Sequence, residues 1–448
     1  MQILIKNCNL ISMDENREKI EYGVDILINE DKIEQIDKNL NISNIKIIDA
    51  TNKYVLPGLI NTHSHIGMSI FRESVDGYQT QDWLTQKIWP IEDKLTKDDI
   101  YKSSLLSCIE MIKTGTTTVN DQYFFPKDII KAVVESGIRA ELTRVVMDID
   151  NNLNGRFNEL ESLINNYNGK YNNVYINVGI HGLYTTSQIG VTKAIELAKK
   201  HNLNIHMHYL ENSQESTDIS NNYKGKKPYE IVNDNFENTN SIFAHCVKLS
   251  DEDYSIFRKY NIKVAHCPIS NLKLGCGIAN VPKMLKNGIT VSLGTDGQGS
   301  GSNLDMFETM KFTGLLQKGI NENPILLPAY EILKMATING AKALNKDNLI
   351  GSIAIGKLAD LIILDLSNVT AQPINDIFAD IVYNAKGENV ETTIVGGNVL
   401  MEDRKLTNLD ENEIIENCKN ILDKYIEKAW LLIKLFSILF FFCYQSIF

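Results

Sequence analysis

The chain has 448 residues, of which 43% are hydrophobic and 23% charged, a globular composition that excludes disorder as its general state. Its net charge of -11 argues against DNA or RNA as a partner, because polyphosphates bind basic surfaces. The seven cysteines are scattered and the N-terminus lacks the apolar core of a signal peptide, so we expect free thiols and a cytoplasmic protein.

The two ends of the chain share one pattern. Residues 1–54 read as short strands with alternating apolar positions, broken by Asn, Asp and Gly, and residues 355–404 have the same character. We therefore predict that residues 1–54 and 355–404 together form a small β-sandwich domain. Residues 55–354 would then be a second domain inserted between these flanks.

The central region alternates short apolar strands with helical stretches, which predicts βα units and a parallel sheet. Eight strands each followed by a helix predict an α/β fold, a (β/α)8 TIM-like barrel. Most of these strands end in His or Asp, and in such barrels the carboxyl ends of the strands meet at one mouth, where we expect the active site. The strand candidates are Val55–His65, Thr116–Asp121, Arg139–Val145, Tyr175–His181, Asn204–His208, Ser241–His245, Ile262–His266 and Thr290–Asp296.

The C-terminal segment, residues 405–448, is predicted to be a helical tail with an unusual apolar end. From Trp430 it runs WLLIKLFSILFFFCYQSIF, interrupted by Lys434 and a few small polar residues. The clean apolar stretch is shorter than the roughly 20 residues that a membrane-spanning helix needs. We favour a buried helix or a tail added by altered reading of the gene's end. A C-terminal membrane anchor is kept as an alternative interpretation.

A His-x-His pair ends the first predicted barrel strand. In an extended backbone residues i and i+2 point to the same side, so His63 and His65 project together. Two imidazoles at a buried strand end favour a metal site. Taken alone, the pair is as consistent with a polar strand end or a core histidine as it is with a metal site.

Other strand ends supply further candidates. His208 ends the fifth strand with Glu211 just beyond it, His245 ends the sixth, and Asp296 ends the eighth. Each has an ordinary reading as well, such as a solvated loop acid for Glu211, a core histidine for His245 or a turn aspartate before Gly297.

Together the strand ends favour one divalent metal. Three histidine nitrogens and one carboxylate form a ligand set typical of zinc or iron rather than calcium or magnesium. No lysine ends the fourth strand where it could bridge a second metal. We therefore expect one ion, zinc before iron, on His63, His65, His208 and Asp296.

Seven segments carry a resemblance to a known family. The chain is similar to members of the amidohydrolase superfamily, and within it to the 5-methylthioadenosine/S-adenosylhomocysteine deaminases. Cys267 and Cys276 depart from the family pattern, standing where polar residues are expected. The segments occur in the family's order as PGLINTHSH, KIWPIEDKL, HMHYLEN, FAHCVKLS, AHCPISNLKLGCGIANV, LGTDGQGSGSNLDMFETMK and GSIAIGKLADLIILDL.

The resemblance implies roles for the catalytic residues. The four metal ligands named above match the family's ligands, Glu211 matches its proton-shuttling acid, and His245 matches the residue that orients the attacking hydroxide. Asp296 would also act as the base for the attacking water. The implied reaction is hydrolytic deamination of an adenosine derivative, in which hydroxide attacks C6 of the purine, Glu211 protonates N1 and ammonia leaves.

The resemblance also implies substrate contacts. Glu92 matches the carboxylate that receives the ribose hydroxyls, and Glu211 would contact the purine. Arg144, Arg156 and His181 match further contacts, and the two arginines would suit a homocysteine carboxylate. The expected substrates are 5-methylthioadenosine and S-adenosylhomocysteine, with adenosine as a further candidate.

Two alternatives stay open at this point. One is a deaminase of another heterocycle, such as guanine, 8-oxoguanine or a triazine, which would use the same metal site. The other is a catalytically silent barrel that acts as a binding module, which would need the loss of a ligand or of Glu211. The expected partner is a small-molecule nucleoside substrate. The sequence does not decide whether the chain forms a homo-oligomer.

Overall fold

The fold is described from a computed structural model, which covers residues 2–74, 76–78, 80–148 and 151–425. The apolar tail predicted from Trp430 onward lies outside these residues. Among the described helices, none is long and apolar enough to cross a bilayer.

The strands belong to two separate sheets, one mixed and one entirely parallel. In chain order they are β1 (Gln2–Leu10), β2 (Glu21–Asn29), β3 (Lys32–Asp37), β4 (Lys46–Asp49), β5 (Tyr54–Pro57), β6 (Leu59–Ser64), β7 (Thr116–Tyr123), β8 (Arg139–Val146), β9 (Val174–Ile180), β10 (Asn204–Tyr209), β11 (Asn240–His245), β12 (Lys263–His266), β13 (Val291–Leu293), β14 (Leu361–Leu364), β15 (Val390–Val395), β16 (Asn398–Glu402) and β17 (Lys405–Leu406).

The mixed sheet is built from both ends of the chain. Its order is β17-β16-β15-β14-β5-β1-β2-β3, with β4 beside β1. The two flanks meet where β5 pairs antiparallel with β14, placing Pro57 opposite Leu361. Isoleucines, leucines and valines of both flanks form one buried cluster on this sheet. Strands far apart in sequence therefore share one small hydrophobic core.

The parallel sheet is the predicted barrel. Its eight strands run in chain order from β6 to β13, and neighbouring strands pair in parallel. Hydrogen bonds connect β6, the first barrel strand, with β13, the last. The Thr62 hydroxyl donates to the Leu293 carbonyl at 2.8 Å, and the amide of Asp296, just after β13, donates to the His63 carbonyl at 3.0 Å. The (β/α)8 fold class expected from the sequence is confirmed.

The predicted first barrel strand, Val55–His65, is two strands in the structure. β5 belongs to the mixed sheet and β6 to the barrel, and the chain passes between them at Gly58. A Cβ at Gly58 would lie 2.1 Å from the Thr117 side chain. Glycine therefore permits the close approach that lets one continuous apolar run serve two sheets.

Helices follow the barrel strands, and several have clear sequence signals at their starts. In chain order they are α1 (Thr80–Trp83), α2 (Trp89–Glu92), α3 (Lys97–Lys113), α4 (Pro126–Ser136), α5 (Leu153–Tyr167), α6 (Gln188–His201), α7 (Glu215–Asn222), α8 (Pro228–Asn235), α9 (Asp251–Tyr260), α10 (Pro268–Lys273), α11 (Val281–Lys286), α12 (Gln298–Gly301), α13 (Met306–Ile320), α14 (Ala329–Met335), α15 (Ile338–Ala343), α16 (Ile377–Ala379) and a helical run, α17, over residues 411–425. Short 3-10 helices cover Ile66–Phe71 and Gly387–Asn389, and π-helical turns cover Leu84–Ile88 and Asp380–Asn384.

Local sequence explains where helices begin. Thr96 caps α3 by accepting the Asp99 amide, and the Asp99 carboxylate accepts the Thr96 amide in return. Ser250 and Asp253 form the same reciprocal box before α9. Such boxes satisfy backbone donors that the first helical turn leaves without partners.

The barrel strands are buried on both faces. Every residue of β7 and of β8 is buried, because helices cover the outside and side chains fill the interior. Polar side chains inside such a barrel must therefore find partners from other strands. At the carboxyl ends of the strands these side chains form the candidate site.

Candidate active site

Four side chains predicted as metal ligands converge at the barrel mouth. His63 lies near the end of β6 and His65 directly follows it, while His208 lies near the end of β10 and Asp296 follows β13. Asp296 Oδ1 lies 3.1 Å from His65 Nε2 and 3.4 Å from His63 Nε2, and the Nε2 atoms of His65 and His208 are 3.3 Å apart. The donor atoms thus face a common point.

The outer ring nitrogens of the three histidines are already engaged. His65 Nδ1 donates to the Gln122 carbonyl at 2.5 Å, and His208 Nδ1 donates to the His181 carbonyl at 2.6 Å. A carbonyl can only accept, so these contacts place a hydrogen on Nδ1 and turn Nε2 toward the cluster. This is the arrangement by which proteins orient metal-binding histidines.

His63 is oriented by another histidine. Its Nδ1 lies 2.8 Å from His206 Nε2, while its own Nε2 is buried without a hydrogen-bond partner among the described residues. An unpartnered buried nitrogen is costly unless something else satisfies it. Donor atoms of His63, His65 and His208 lie within 4.8 Å of one another, and so do those of His63, His245 and Asp296, which fits a divalent cation at this cluster.

Burial and proximity set the charges of this cluster. Burial lowers the pKa of His63 to about 3 and that of His208 well below its ordinary value, so both rings are neutral. Burial also lowers the pKa of His65, but the Asp296 carboxylate outweighs it and raises the pKa to about 9. A cation that binds here displaces that proton.

Asp296 is held by groups on its far side. Its Oδ2 accepts hydrogen bonds from Ser270 Oγ at 2.6 Å and Ser300 Oγ at 2.7 Å, which leaves Oδ1 toward the histidines. Its backbone is left-handed, with φ of 63°, a conformation that a non-glycine residue rarely adopts. Such strain is found where the surrounding structure holds a side chain in place.

Glu211 and His245 lie beside the cluster. Glu211 Oε1 is 3.8 Å from His245 Nδ1, and it also accepts a hydrogen bond from the Cys276 thiol at 3.7 Å. Asn271 Oδ1 accepts from His245 Nδ1 at 2.9 Å. Burial raises the pKa of Glu211. The carboxyl group can therefore hold a proton at a higher pH than an exposed glutamate.

A second buried acid fixes the turn that carries Glu211. Glu215 accepts the backbone amides of Leu210 at 2.9 Å and Glu211 at 2.7 Å. Leu210 has a φ of 47°, in the left-handed region. The two hydrogen bonds from one carboxylate stabilise this strained turn and so position Glu211.

The cluster forms part of the wall of a chamber at the mouth of the barrel. Aromatic and aliphatic side chains make up much of the wall, and the polar groups of the site interrupt it. The described lining residues are His65, Met68, Thr80, Trp83, Leu84, Ile88, Trp89, Glu92, Gln122, Tyr123, Phe124, Val145, His181, Tyr184, His208, Glu211, His245, Leu274, Asp296 and Ser300.

Glu92 reaches the chamber from the end of α2 and is bound to a tyrosine. Tyr123, at the end of β7, donates its hydroxyl to Glu92 Oε1. Burial raises the pKa of Glu92 to about 7, although the tyrosine hydroxyl opposes this shift. His181 also lines the chamber, with its Nδ1 2.9 Å from Thr185 Oγ1.

The two predicted arginines are placed differently. Neither Arg144 nor Arg156 is among the described residues that line the chamber. Arg144 forms an ion pair with Glu159, with 2.7 Å between Nε and Oε2, and Arg156 donates to the Met147 carbonyl at 2.9 Å. Their contact with substrate therefore stays a prediction.

Sequence reasoning missed three supporting residues. They are His206, Tyr123 and Glu215, none of which was predicted to take part in the site. The available signals were their positions, since Tyr123 ends a barrel strand and Glu215 lies four residues after Glu211. Which partner each would meet depends on other strands and could not be read from these positions.

Comparison with known proteins supplies independent information. The profile of the amidohydrolase family matches residues 54–400. A 5-methylthioadenosine/S-adenosylhomocysteine deaminase of Caldanaerobacter subterraneus subsp. tengcongensis is 40% identical, over 92% of this chain and 96% of that protein. A 5′-deoxyadenosine deaminase of Methanosarcina acetivorans is 39% identical, over 95% of this chain and 99% of that protein.

A solved structure resembles the whole fold. The crystal structure of an adenosine deaminase from Xanthomonas campestris, with bound zinc, superposes with a TM-score of 0.90 at 25% identity. The match covers 94% of this chain and 98% of that one. The similarity therefore includes both the barrel and most of the mixed sheet.

Proposed function

The chain belongs to the amidohydrolase family, as its motifs indicated, and on that premise we propose that it removes the 6-amino group of adenosine derivatives by hydrolysis. The products would be the inosine derivative and ammonia. The observation that carries the proposal is the protonatable Glu211 beside His245, both on the wall of a chamber that three of the four cluster residues also line. This set can protonate a ring nitrogen while a nucleophile is held at the adjacent carbon.

The four converging donors support one divalent cation, and we propose zinc. His63, His65, His208 and Asp296 would hold it, since their orientation leaves three imidazole nitrogens and a carboxylate oxygen facing one point. When bound, such an ion supplies a hydroxide nucleophile near neutral pH, because it lowers the pKa of coordinated water to about 7.

Proton transfers are assigned to two carboxyl groups. Glu211 gives its proton to N1 of the purine as oxygen adds to C6, and its burial favours the protonated form that this step needs. Asp296 accepts the first proton of the attacking water and passes it to the departing amine. The second water proton returns to Glu211 as the C6 carbonyl forms, so water supplies both hydrogens and the oxygen.

His245 and the chamber wall supply orientation. Because Asn271 engages His245 Nδ1, the ring is held in one orientation beside Glu211 and can contact the attacking oxygen. Glu92 would accept ribose hydroxyls, and His181 would contact the nucleoside from another part of the wall. The aromatic side chains of the chamber would cover the planar base and exclude bulk water.

Other heterocycles are less favoured as substrates. Guanine, 8-oxoguanine or a triazine would need the same metal site, so the cluster does not discriminate among them. The relatives of about 40% identity are named for adenosine derivatives. Glu92, held by Tyr123, also supplies an acceptor that a ribose needs and a free base does not.

The cytoplasm remains the predicted compartment and a homo-oligomer stays open. All six cysteines within the described residues are buried and outside disulfides, as a reducing compartment would allow. Size measurement by light scattering on the purified chain would settle its oligomeric state.

An ammonia-release assay tests the proposed function. We expect release from adenosine, 5-methylthioadenosine, 5′-deoxyadenosine or S-adenosylhomocysteine, with one metal per chain by elemental analysis. Chelation should abolish the release and zinc should restore it. Release from guanine or 8-oxoguanine with none from the adenosine derivatives would refute the proposal.

A further inference from the structure

One short segment after β12 contacts several catalytic side chains. In α10, Ser270 Oγ donates to Asp296 Oδ2 at 2.6 Å, and Asn271 Oδ1 accepts from His245 Nδ1 at 2.9 Å. Shortly after the end of α10, the Cys276 thiol lies against the carboxyl group of the proposed acid. The serine and the asparagine orient their partners through strong polar groups, whereas a thiol is a weak donor. Because a carboxyl group has only two oxygens, even a weak donor at one of them affects which oxygen carries the proton.

The backbone fixes the position of Cys276. Its amide donates to the Asn271 carbonyl at 2.8 Å. The glycines on either side are left-handed, with φ of 67° at Gly275 and 106° at Gly277, a conformation that other residues rarely adopt. The side chain between them is only 3% exposed. The segment therefore holds a buried thiol at one place beside the catalytic carboxyl group.

The hydrogen bonds at this thiol run in one direction. Cys276 Sγ lies 3.7 Å from Glu211 Oε1 and 3.7 Å from Thr80 Oγ1. Burial raises the pKa of the thiol, so it keeps its single hydrogen. An ionised Glu211 can only accept, so the thiol donates to Oε1, and the Thr80 hydroxyl donates to the sulfur. Because Thr80 lines the chamber, this series of donors connects the chamber wall with the acid.

We propose that Cys276 is a positioning residue of this site, because its thiol occupies Glu211 Oε1 and so directs the transferable proton to Oε2. His245 Nδ1 also approaches Oε1, at 3.8 Å, and within the described part of the chain no hydrogen bond is made to Oε2. The proton that Glu211 takes up therefore binds to Oε2. In the reaction the Oε2–H bond breaks and an N1–H bond forms as oxygen adds to C6 of the purine, so the inference rests on the proposed deaminase function.

Two substitutions of Cys276 test the inference on the metal-loaded full chain. Cys276→Ala removes the donor, so kcat for 5′-deoxyadenosine or 5-methylthioadenosine should fall about three- to tenfold, while KM should change by less than about twofold. Cys276→Ser returns a donor to the same place and should recover part of kcat. Cys418→Ala is the matched control, because that thiol is also buried and donates to the Lys102 carbonyl at 3.4 Å, outside the chamber lining. It should leave kcat unchanged.

Two inhibitors separate the positioning of a proton from general damage to the site. Purine riboside has hydrogen in place of the 6-amino group and, when water adds across its N1–C6 bond, needs a proton at N1. In 1-deazaadenosine a carbon replaces N1, so its binding does not use the proton of Glu211. In Cys276→Ala the inhibition constant of purine riboside should rise about three- to tenfold, and that of 1-deazaadenosine should not change. Equal rises for both inhibitors would overturn the positioning role.

Failure of the inference and failure of the proposed function give different results. An unchanged kcat in Cys276→Ala, or a loss of kcat that Cys276→Ser does not reduce, would overturn the role of the thiol and leave the deaminase intact. A loss of the same size in Cys418→Ala would do so as well. If the unsubstituted chain releases ammonia from none of the adenosine derivatives, the proposed function itself is refuted.

Discussion

Both ends of the barrel bury ionisable side chains. At the amino ends of the strands each charge has a partner of opposite sign, whereas at the mouth the pairing is incomplete. At the amino ends of the strands, Arg139 contacts both oxygens of Asp360, at 2.8 and 3.0 Å. Asp360 Oδ1 also accepts the Gly396 amide at 2.7 Å. Nearby, Lys346 lies 3.1 Å from the buried Glu141. Charges of opposite sign meet, and the protein supplies both partners.

At the mouth, the buried groups face one another without complete compensation. The Nε2 atoms of His65 and His208 are 3.3 Å apart, and His63 Nε2 has no hydrogen-bond partner among the described residues. Acceptor lone pairs directed at one point need a cation from outside the chain. The convergence of these incompletely matched donors therefore supports a cation site at the mouth, whereas the paired charges at the other end support stability.

Replacement of the acid at the mouth should have the largest effect. Glu211→Gln keeps the shape but cannot give a proton to N1, so turnover should fall about 10²- to 10⁴-fold. Metal content should be unchanged, because Glu211 is not one of the four converging donors. Steady-state kinetics and elemental analysis measure the two quantities. Glu237→Gln, in an exposed turn, is the control. Retained turnover in Glu211→Gln would remove its role as the acid.

At the other end, Asp360→Asn should reduce stability rather than activity. It leaves Arg139 buried without its carboxylate, which should lower the free energy of unfolding by about 3–5 kcal/mol. Urea denaturation measures the loss, and turnover per folded molecule should stay the same. Asp98→Asn, which breaks an exposed pair with Lys102, should change stability little. A loss of turnover with unchanged stability would contradict the contrast between the two ends.

A smaller effect is expected from His206→Leu, which removes the ring that holds His63 Nδ1. Metal affinity should fall about 10- to 100-fold, as for other residues that orient metal ligands. Competition with a chromophoric chelator measures the affinity without reference to activity. His206→Gln retains an acceptor and should recover part of the loss. Unchanged affinity in both variants would show that His63 needs no such support.

The smallest effect should come from Tyr123→Phe, which removes the hydroxyl that donates to Glu92. The pKa of Glu92, already raised to about 7 by burial, should rise further, so less of it is ionised at neutral pH. The KM for ribonucleosides should increase about two- to tenfold with little change in kcat. The KM for a 2′,3′-dideoxynucleoside, which lacks the ribose hydroxyls, should not change. Equal losses on both substrates would argue against Glu92 as the ribose acceptor.

Much of the architecture could be predicted because it depends on local patterns. Period-two spacing placed His63 and His65 on one side of a strand, and apolar runs located the eight barrel strands. The known barrel geometry then implied that His208 and Asp296 would lie at the same mouth. The boundary at Gly58, where one apolar run divides between two sheets, was not predicted, since it depends on the approach of Thr117.

The partners of individual side chains could not be predicted in the same way. Arg144 looked available for a substrate carboxylate, yet the structure pairs it with Glu159 from the following helix. His206 lies two residues before His208 on the same strand, yet its ring contacts His63 across the barrel. Both contacts depend on rotamers and on distances between elements, which the identity of a residue does not specify.

By itself, the sequence determined that eight barrel strands form and which residue types stand near their ends, because these follow from local periodicity and side-chain chemistry. Only the tertiary structure decided which nitrogens are engaged, which carboxyl group faces the chamber and which arginine is already paired. Hydrogen bonds and ion pairs act over about 3 Å, and only the folded arrangement of distant strands brings groups within that range.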